Sequence, residues 1–174
     1  MSNNDIDLIK RVTANNDHNA FGILIDKHQY AIRTLLFKLT KGDKVITDDL
    51  SQEVFIRVFK HLKTFKASSQ FSTWLYRITL NVYYDYLGKL KHLHIDSISE
   101  PTIEPEPFEN KIDILNALEL LHEKEKLAVI LNYEKGFSHS EIAKIMKLPI
   151  GTVKTNILRG KAKLKKYFAD DRER

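Results

Sequence analysis

Apolar residues recur along this chain at steps of three and four, with no alternating run of period two, so the pattern predicts helices throughout. Asp5 to Ala14 gives a short first helix. Phe21, Ile25, Ile32, Leu35 and Leu36 mark a long second helix from about His18 to Thr40, stopped by the polar break around Gly42. In the third, Thr47 is placed to cap the start, and Asp48 and Asp49 to meet the positive end of the helix dipole. Leu50, Val54, Val58 and Leu62 form its apolar stripe. A fourth helix from about Phe71 to Leu90 rides on Leu75, Ile78, Val82 and Tyr86.

Prolines stand only at 101, 105, 107 and 149, and three of them fall in the acidic, polar stretch 97–110, which carries no sustained periodicity. Beyond it, Ile112 to Leu121 and Lys124 to Tyr133 read as helices, with Gly136 placed to end the second. Ser138 with Glu141 three residues later is a capping box, opening a short helix that carries Ile142, Ile145 and Met146. Lys147 to Pro149 makes a turn. A last helix begins near Pro149 or Ile150 with Val153, Ile157, Gly160, Leu164 and Phe168 on one face. The expected fold is all-α: two small helical domains, 1–95 and 111–174, joined by a flexible linker at 96–110, the C-terminal one a helix-turn-helix.

The 174 residues carry a formal net charge of +5, compatible with nucleic acid or an acidic protein surface. There is no cysteine, which excludes disulfides, thiolate chemistry and cysteine-ligated zinc. The seven histidines form no metal-binding spacing, and the chain has no phosphate-binding glycine loop and no nucleophile elbow. We expect no enzyme, no metal and no cofactor. The first ten residues are polar and no stretch approaches the roughly 20 apolar residues that span a bilayer, so a soluble, cytoplasmic protein without membrane insertion is expected.

Two surfaces carry candidate chemistry. On the last helix, opposite the apolar stripe, lie Lys154, Thr155, Arg159, Lys161, Lys165 and Lys166. A basic helix after a capped helix and tight turn suits the DNA major groove, its first residues reaching base edges and its later lysines neutralising phosphate. On the fourth helix, Phe71, Trp74, Tyr76, Tyr83, Tyr84 and Tyr86 interleave with Arg77, Asn81, Lys89 and Lys91. Aromatic rings among cations and amides suit unstacked single-stranded bases, although a share of these rings must be core. Asp48, Asp49, Gln52 and Glu53 make an acidic and amide face on the third helix, suited to a basic protein partner; they lack the third ligand that metal-dependent cleavage would need.

The stretch DDLSQEVF at 48–55, then FSTWLYRI at 71–78 with Asn81 and Asp85 to Leu87, resembles region 2 of the extracytoplasmic-function sigma factors. Ser140 to Ala143, followed by Pro149 to Lys154 and Arg159, is similar to their region 4. The resemblance covers roughly 5–95 and 111–169. It implies that Asp48, Asp49, Gln52, Glu53 and Phe55 dock on the clamp helices of the polymerase β′ subunit. It implies that Trp74, Arg77, Asn81, Tyr84, Lys89 and Lys91 bind the promoter minus-ten element and hold its non-template strand open. It implies that Thr152, Lys154, Thr155, Leu158, Arg159, Lys161 and Lys165 read or grip the minus-thirty-five element. Region 4 would also touch the β flap, and a cognate anti-sigma factor is an implied partner beside core polymerase and promoter DNA.

The chain departs from the family pattern at Asn156, where arginine is common, at Gly160, where alanine is common, and at His122, where proline often opens the helix. The first departure bears on phosphate binding, and Gly160 lowers helix propensity by up to about 1 kcal/mol. A rival reading is a helix-turn-helix regulator that binds a palindromic operator as a dimer, but no heptad run supplies a dimer surface. A nuclease built on Asp48 and Asp49 lacks its remaining ligands.

Overall fold

Two aspartates open the second and third helices. In the computed structural model, which describes residues 3–92 and 109–171 and side chains over 5–90 and 114–169, helix α1 (Asn3–Asn15) leads to α2 (His18–Leu39). Asp17 caps α2, its Oδ1 accepting the Ala20 N–H at 3.0 Å, and it also takes the Arg11 guanidinium at 2.7 Å. The Ala20 N–H and then Arg11 hold the Asp17 carboxyl below its ordinary range. Helix α3 (Lys44–His61) is capped by Asp43, whose Oδ1 accepts the Ile46 N–H at 2.9 Å. Thr47 is therefore not the cap. It lies buried one turn inside, 2.8 Å from the Thr40 hydroxyl and donating to the Asp43 carbonyl. The helix starts earlier than its apolar stripe because Asp43 follows the left-handed pair Lys41 and Gly42 and can bond the first free N–H groups. Asp48 and Asp49 consequently sit beyond the first turn, and the helix dipole does not account for their charge.

After a 3-10 turn at Leu62–Thr64 the chain enters α4 (Phe71–His92). Leu50, Val54 and Val58 on α3, with Leu62, are buried, as are Ile32, Leu35 and Leu36 on α2 and Leu75, Ile78 and Val82 on α4. Helix α2 packs against α1 and α3, and α4 against α3 and α2. The Tyr83 hydroxyl donates to the Leu39 carbonyl at 3.1 Å, satisfying an oxygen that the end of α2 leaves open. Phe21 and Ile25 depart from the expected stripe: they are half-buried and face a groove rather than the core.

The chain divides into two compact units, Met1–Pro101 and Thr102–Arg174. All regular structure among the described residues is helical, and the helix-turn-helix stands where the pattern places it. The expected linker at 96–110 lies outside the described residues except for Glu109 and Asn110, which already belong to α5 (Glu109–Glu119). Helix α6 (Glu123–Val129) continues as a π-helical turn at Ile130–Glu134, ended by Gly136 at φ +70°. The Ser138–Glu141 box opens α7 (His139–Met146), Lys147 turns the chain at φ +54°, and α8 (Ile150–Asp171) follows. Val153 and Ile157 are buried with Ile142, Ile145 and Met146; Leu164 is half-buried and Phe168 is exposed, so the stripe on α8 opens to solvent towards its end.

Helices α6 and α8 meet at Gly160. A β-carbon there would stand 2.6 Å from Cγ2 of Val129 and 3.5 Å from Cβ of Glu125. The glycine is a close-approach residue, and its low helix propensity is offset by the packing it permits. Beside it the buried Glu125 carboxylate accepts Lys163 Nζ at 2.7 Å and the His122 N–H at 3.1 Å, which closes the start of α6 without the proline common there. Burial alone would raise the Glu125 pKa, but Lys163 and the His122 N–H outweigh it and hold it below the ordinary value of 4.5. Lys126, also buried, pairs with Glu119.

Gly160→Ala will lower the thermal midpoint of the chain, because overpacking against β-branched Val129 costs about 1–3 kcal/mol and exceeds the gain in propensity. Val129→Ala in the same chain relieves the clash, and melting curves of the single and double variants check this. Glu125, with a depressed folded pKa, contributes stability that is present above its unfolded value and lost as pH falls through the folded one. Denaturant midpoints of wild type and Glu125→Gln should therefore differ most at neutral pH, with the gap closing as pH falls below 4.5.

Candidate functional site

Helices α2 and α3 leave a groove of about 770 Å3 along their outer side. Its floor is apolar: Phe21 and Ile25 from α2 face Phe55, Ile56 and Phe59 from α3, with the Phe21 and Phe59 ring centres 4.9 Å apart. Polar groups edge it. Arg33 on α2 pairs with Asp48 on α3 at 2.7 Å, and Gln29, Gln52 and Lys60 complete the rim. Asp49 and Gln52 are exposed, while Glu53 is half-exposed and held by Arg57 Nε at 2.6 Å. Of the five residues expected to bind a protein partner, Asp48, Gln52 and Phe55 line the groove, and Asp49 and Glu53 lie on the same helix beside them. The apolar period of the sequence marks Phe21 and Ile25 as part of the α2 stripe and does not pick out Ile56 and Phe59. The signal was available in Ile56 and Phe59, two large apolar residues flanking the buried stripe rather than lying on it.

Helix α4 presents Arg77, Asn81, Tyr84, Asp85 and Lys89 to solvent at steps of four, three, one and four, which places them on one face. Tyr84 is 39% exposed and is the single ring this face offers. Trp74 is a correction. It is 7% exposed, and its ring lies 5.6 Å from Phe65 and 5.7 Å from Phe71 between ring centres. Phe71, Trp74, Leu75, Ile78 and Val82 share the core stripe, so burying the indole removes it as a stacking platform. Tyr76 and Tyr83 are buried likewise, and Tyr86 is half-buried. Lys91 is in the last turn of α4, beyond the residues whose side chains are described.

On α8, Thr152, Lys154, Thr155, Leu158, Arg159, Lys161 and Lys165 are all exposed, Leu158 to 69%. The Thr155 hydroxyl donates to the Gly151 carbonyl at 3.0 Å, which leaves its oxygen as an acceptor. Lys161 lies over the Tyr133 ring, 5.7 Å from its centre, so an exposed tyrosine on the π-helical turn steadies one of the cations. Asn156 is half-buried, and its amide nitrogen is shielded without a hydrogen-bond partner among the described residues. Among the described residues no three His, Cys, Asp or Glu side chains group to hold a metal, and no helix is long and apolar enough to cross a membrane.

The chain as a whole is similar to known proteins. Family models for sigma-70 region 2 and sigma-70 region 4 match residues 24–92 and 111–164. The ECF RNA polymerase sigma factor SigW of Bacillus subtilis (strain 168) is 30% identical, over 88% of this chain and 91% of its own length. The chain belongs to the ECF sigma factors. The ECF RNA polymerase sigma-E factor of Escherichia coli (strain K12) is also 30% identical, over 88% of each chain. Two solved structures share the fold at 23% identity. Sigma factor RpoE of Bartonella quintana, determined with the anti-sigma factor NepR, gives a TM-score of 0.76 over 86% of this chain and 96% of its own. CnrH, determined with the cytosolic domain of CnrY, gives 0.73 over 97% and 99%. As a sigma factor the chain directs RNA polymerase to initiate at particular promoters, and an operator-binding regulator that never enters polymerase is not favoured.

Proposed function

We propose that the parts of this sigma factor divide as region 2 (1–95), a linker (96–110) and region 4 (111–174). The α2/α3 groove is the seat of core polymerase. An apolar floor with Asp48 on its rim, and Asp49 and Glu53 outside the groove on the same helix, fits a helical hairpin with an apolar stripe and basic flanks, the chemistry expected of the β′ clamp helices. Phe55 supplies floor, Asp49 and Glu53 supply charge, and Gln52 supplies hydrogen bonds. This groove is the observation that carries the reading, because a DNA-binding regulator working alone has no use for it.

Helix α4 then faces the minus-ten element. Asn81 reads a base, Tyr84 stacks on one, and Arg77, Lys89 and Lys91 follow the backbone. Stacking contributes about 1–3 kcal/mol per base, enough to offset the few kcal/mol that unstacking costs. Helix α8 enters the major groove of the minus-thirty-five element. Thr152, Lys154, Thr155, Leu158 and Arg159 approach base edges and phosphates near its N-terminus, and Lys161 and Lys165 bind phosphate further along. Region 4 also meets the β flap. The chain works by binding and positioning, not by catalysis, and does so in the cytoplasm. Two small domains with exposed binding faces suit capture by an anti-sigma factor, a reading supported by the anti-sigma factor NepR found with RpoE.

Asp49→Arg with Glu53→Arg will abolish co-migration with core RNA polymerase, while Arg159→Ala leaves it unchanged. Native gel or size-exclusion analysis reads both, with circular dichroism confirming that the helices persist. Undiminished association of the charge-reversed chain would refute the groove as the docking seat.

A further inference from the structure

One carboxylate stands on the exposed face of α4. Asp85, its side chain 54% exposed, lies among Arg77, Asn81, Tyr84 and Lys89, where a nucleic-acid strand would otherwise meet cations, an amide and a ring. A negative group there repels phosphate unless it is matched. The match comes from α3: Arg57 reaches across the helix pair and sets Nη1 2.5 Å from Asp85 Oδ2, while its Nε lies 2.6 Å from Glu53 Oε1. The guanidinium fork thus serves two carboxylates, one on each of two working faces.

We propose that Arg57 is a positioning residue that neutralises Asp85 on the DNA-binding face of α4 and links that neutralisation to polymerase docking at Glu53. This rests on the groove and α4 assignments above. When a basic group of the polymerase pairs with Glu53, Arg57 loses one of its two anions and commits its charge to Asp85. The α4 face then becomes less negative as the polymerase seats. Linkage is reciprocal: DNA on α4 favours Arg57 at Asp85 and leaves Glu53 open to the polymerase.

The test uses the holoenzyme assembled from core polymerase and the full chain, with promoter binding and core binding measured separately. Arg57→Met should weaken promoter binding about fivefold by leaving Asp85 unmatched, while core affinity does not fall, because Glu53 is then open to the polymerase. Adding Asp85→Asn should restore promoter binding to within about twofold of wild type. A purely structural ion pair would instead be broken by Asp85→Asn alone as well, and its loss would lower the thermal midpoint without weakening promoter binding by the folded chain. Asp85→Asn alone, which keeps Arg57, should bind promoter as well as wild type or more tightly, and this variant decides the matter if Arg57→Met does not fold. Undiminished promoter binding by folded Arg57→Met, failure of the rescue, or weakened binding by Asp85→Asn would each overturn the proposal. Should Asp49→Arg with Glu53→Arg leave core binding intact, the docking assignment fails and the linkage falls with it, whereas the rescue experiment alone bears on Asp85.

Discussion

Burial of a single stripe on α3 dictates the working geometry of the N-terminal unit. Leu50, Val54 and Val58 are at most 8% exposed, and they hold α3 against α2 on one flank and α4 on the other. A helix rotates as a rigid body, so fixing this stripe also fixes the two flanks. One flank supplies Phe55, Ile56 and Phe59 to the groove shared with α2. The other sets Arg57 within reach of Asp85 on α4. Large-to-small changes in such a stripe cost about 2–5 kcal/mol for leucine and would loosen both binding faces together.

The C-terminal unit reaches the same end with a different device. Its crossing of α6 and α8 depends on the absent side chain of Gly160, and the adjacent buried charges are each matched, Glu125 by Lys163 and Lys126 by Glu119. An unpaired carboxylate at that depth would be strongly destabilising. With α8 seated, its opposite face carries Lys154, Arg159 and Lys165 outward.

Helix positions, the capping box at Ser138 and the exposed basic face of α8 were legible in the sequence because each depends on local spacing. What failed depended on neighbours that spacing does not name. Phe21 and Ile25 keep the period of the α2 stripe, but they lie on its margin, where α3 leaves a groove instead of a core. Trp74 has the same period as the buried residues of α4, but period alone leaves core and stacking both open for a ring, and only its packing against Phe65 and Phe71 decides for the core. Thr47 precedes the stripe of α3 as a cap should, yet the positive φ values at Lys41 and Gly42 let Asp43 start the helix earlier. Gly160 looked like a propensity defect because only the packed structure shows Val129 in the space a methyl group would take.

The central claim, that one chain seats on polymerase and reads two promoter elements, is tested most directly by transcription from a pool of templates with randomised upstream sequence. Purified chain and core RNA polymerase would be combined and the start sites sequenced. Start sites sharing two upstream elements at fixed spacing, appearing only when the chain is present, are the predicted result. Start sites without shared elements, or no initiation beyond that of core alone, would contradict the account.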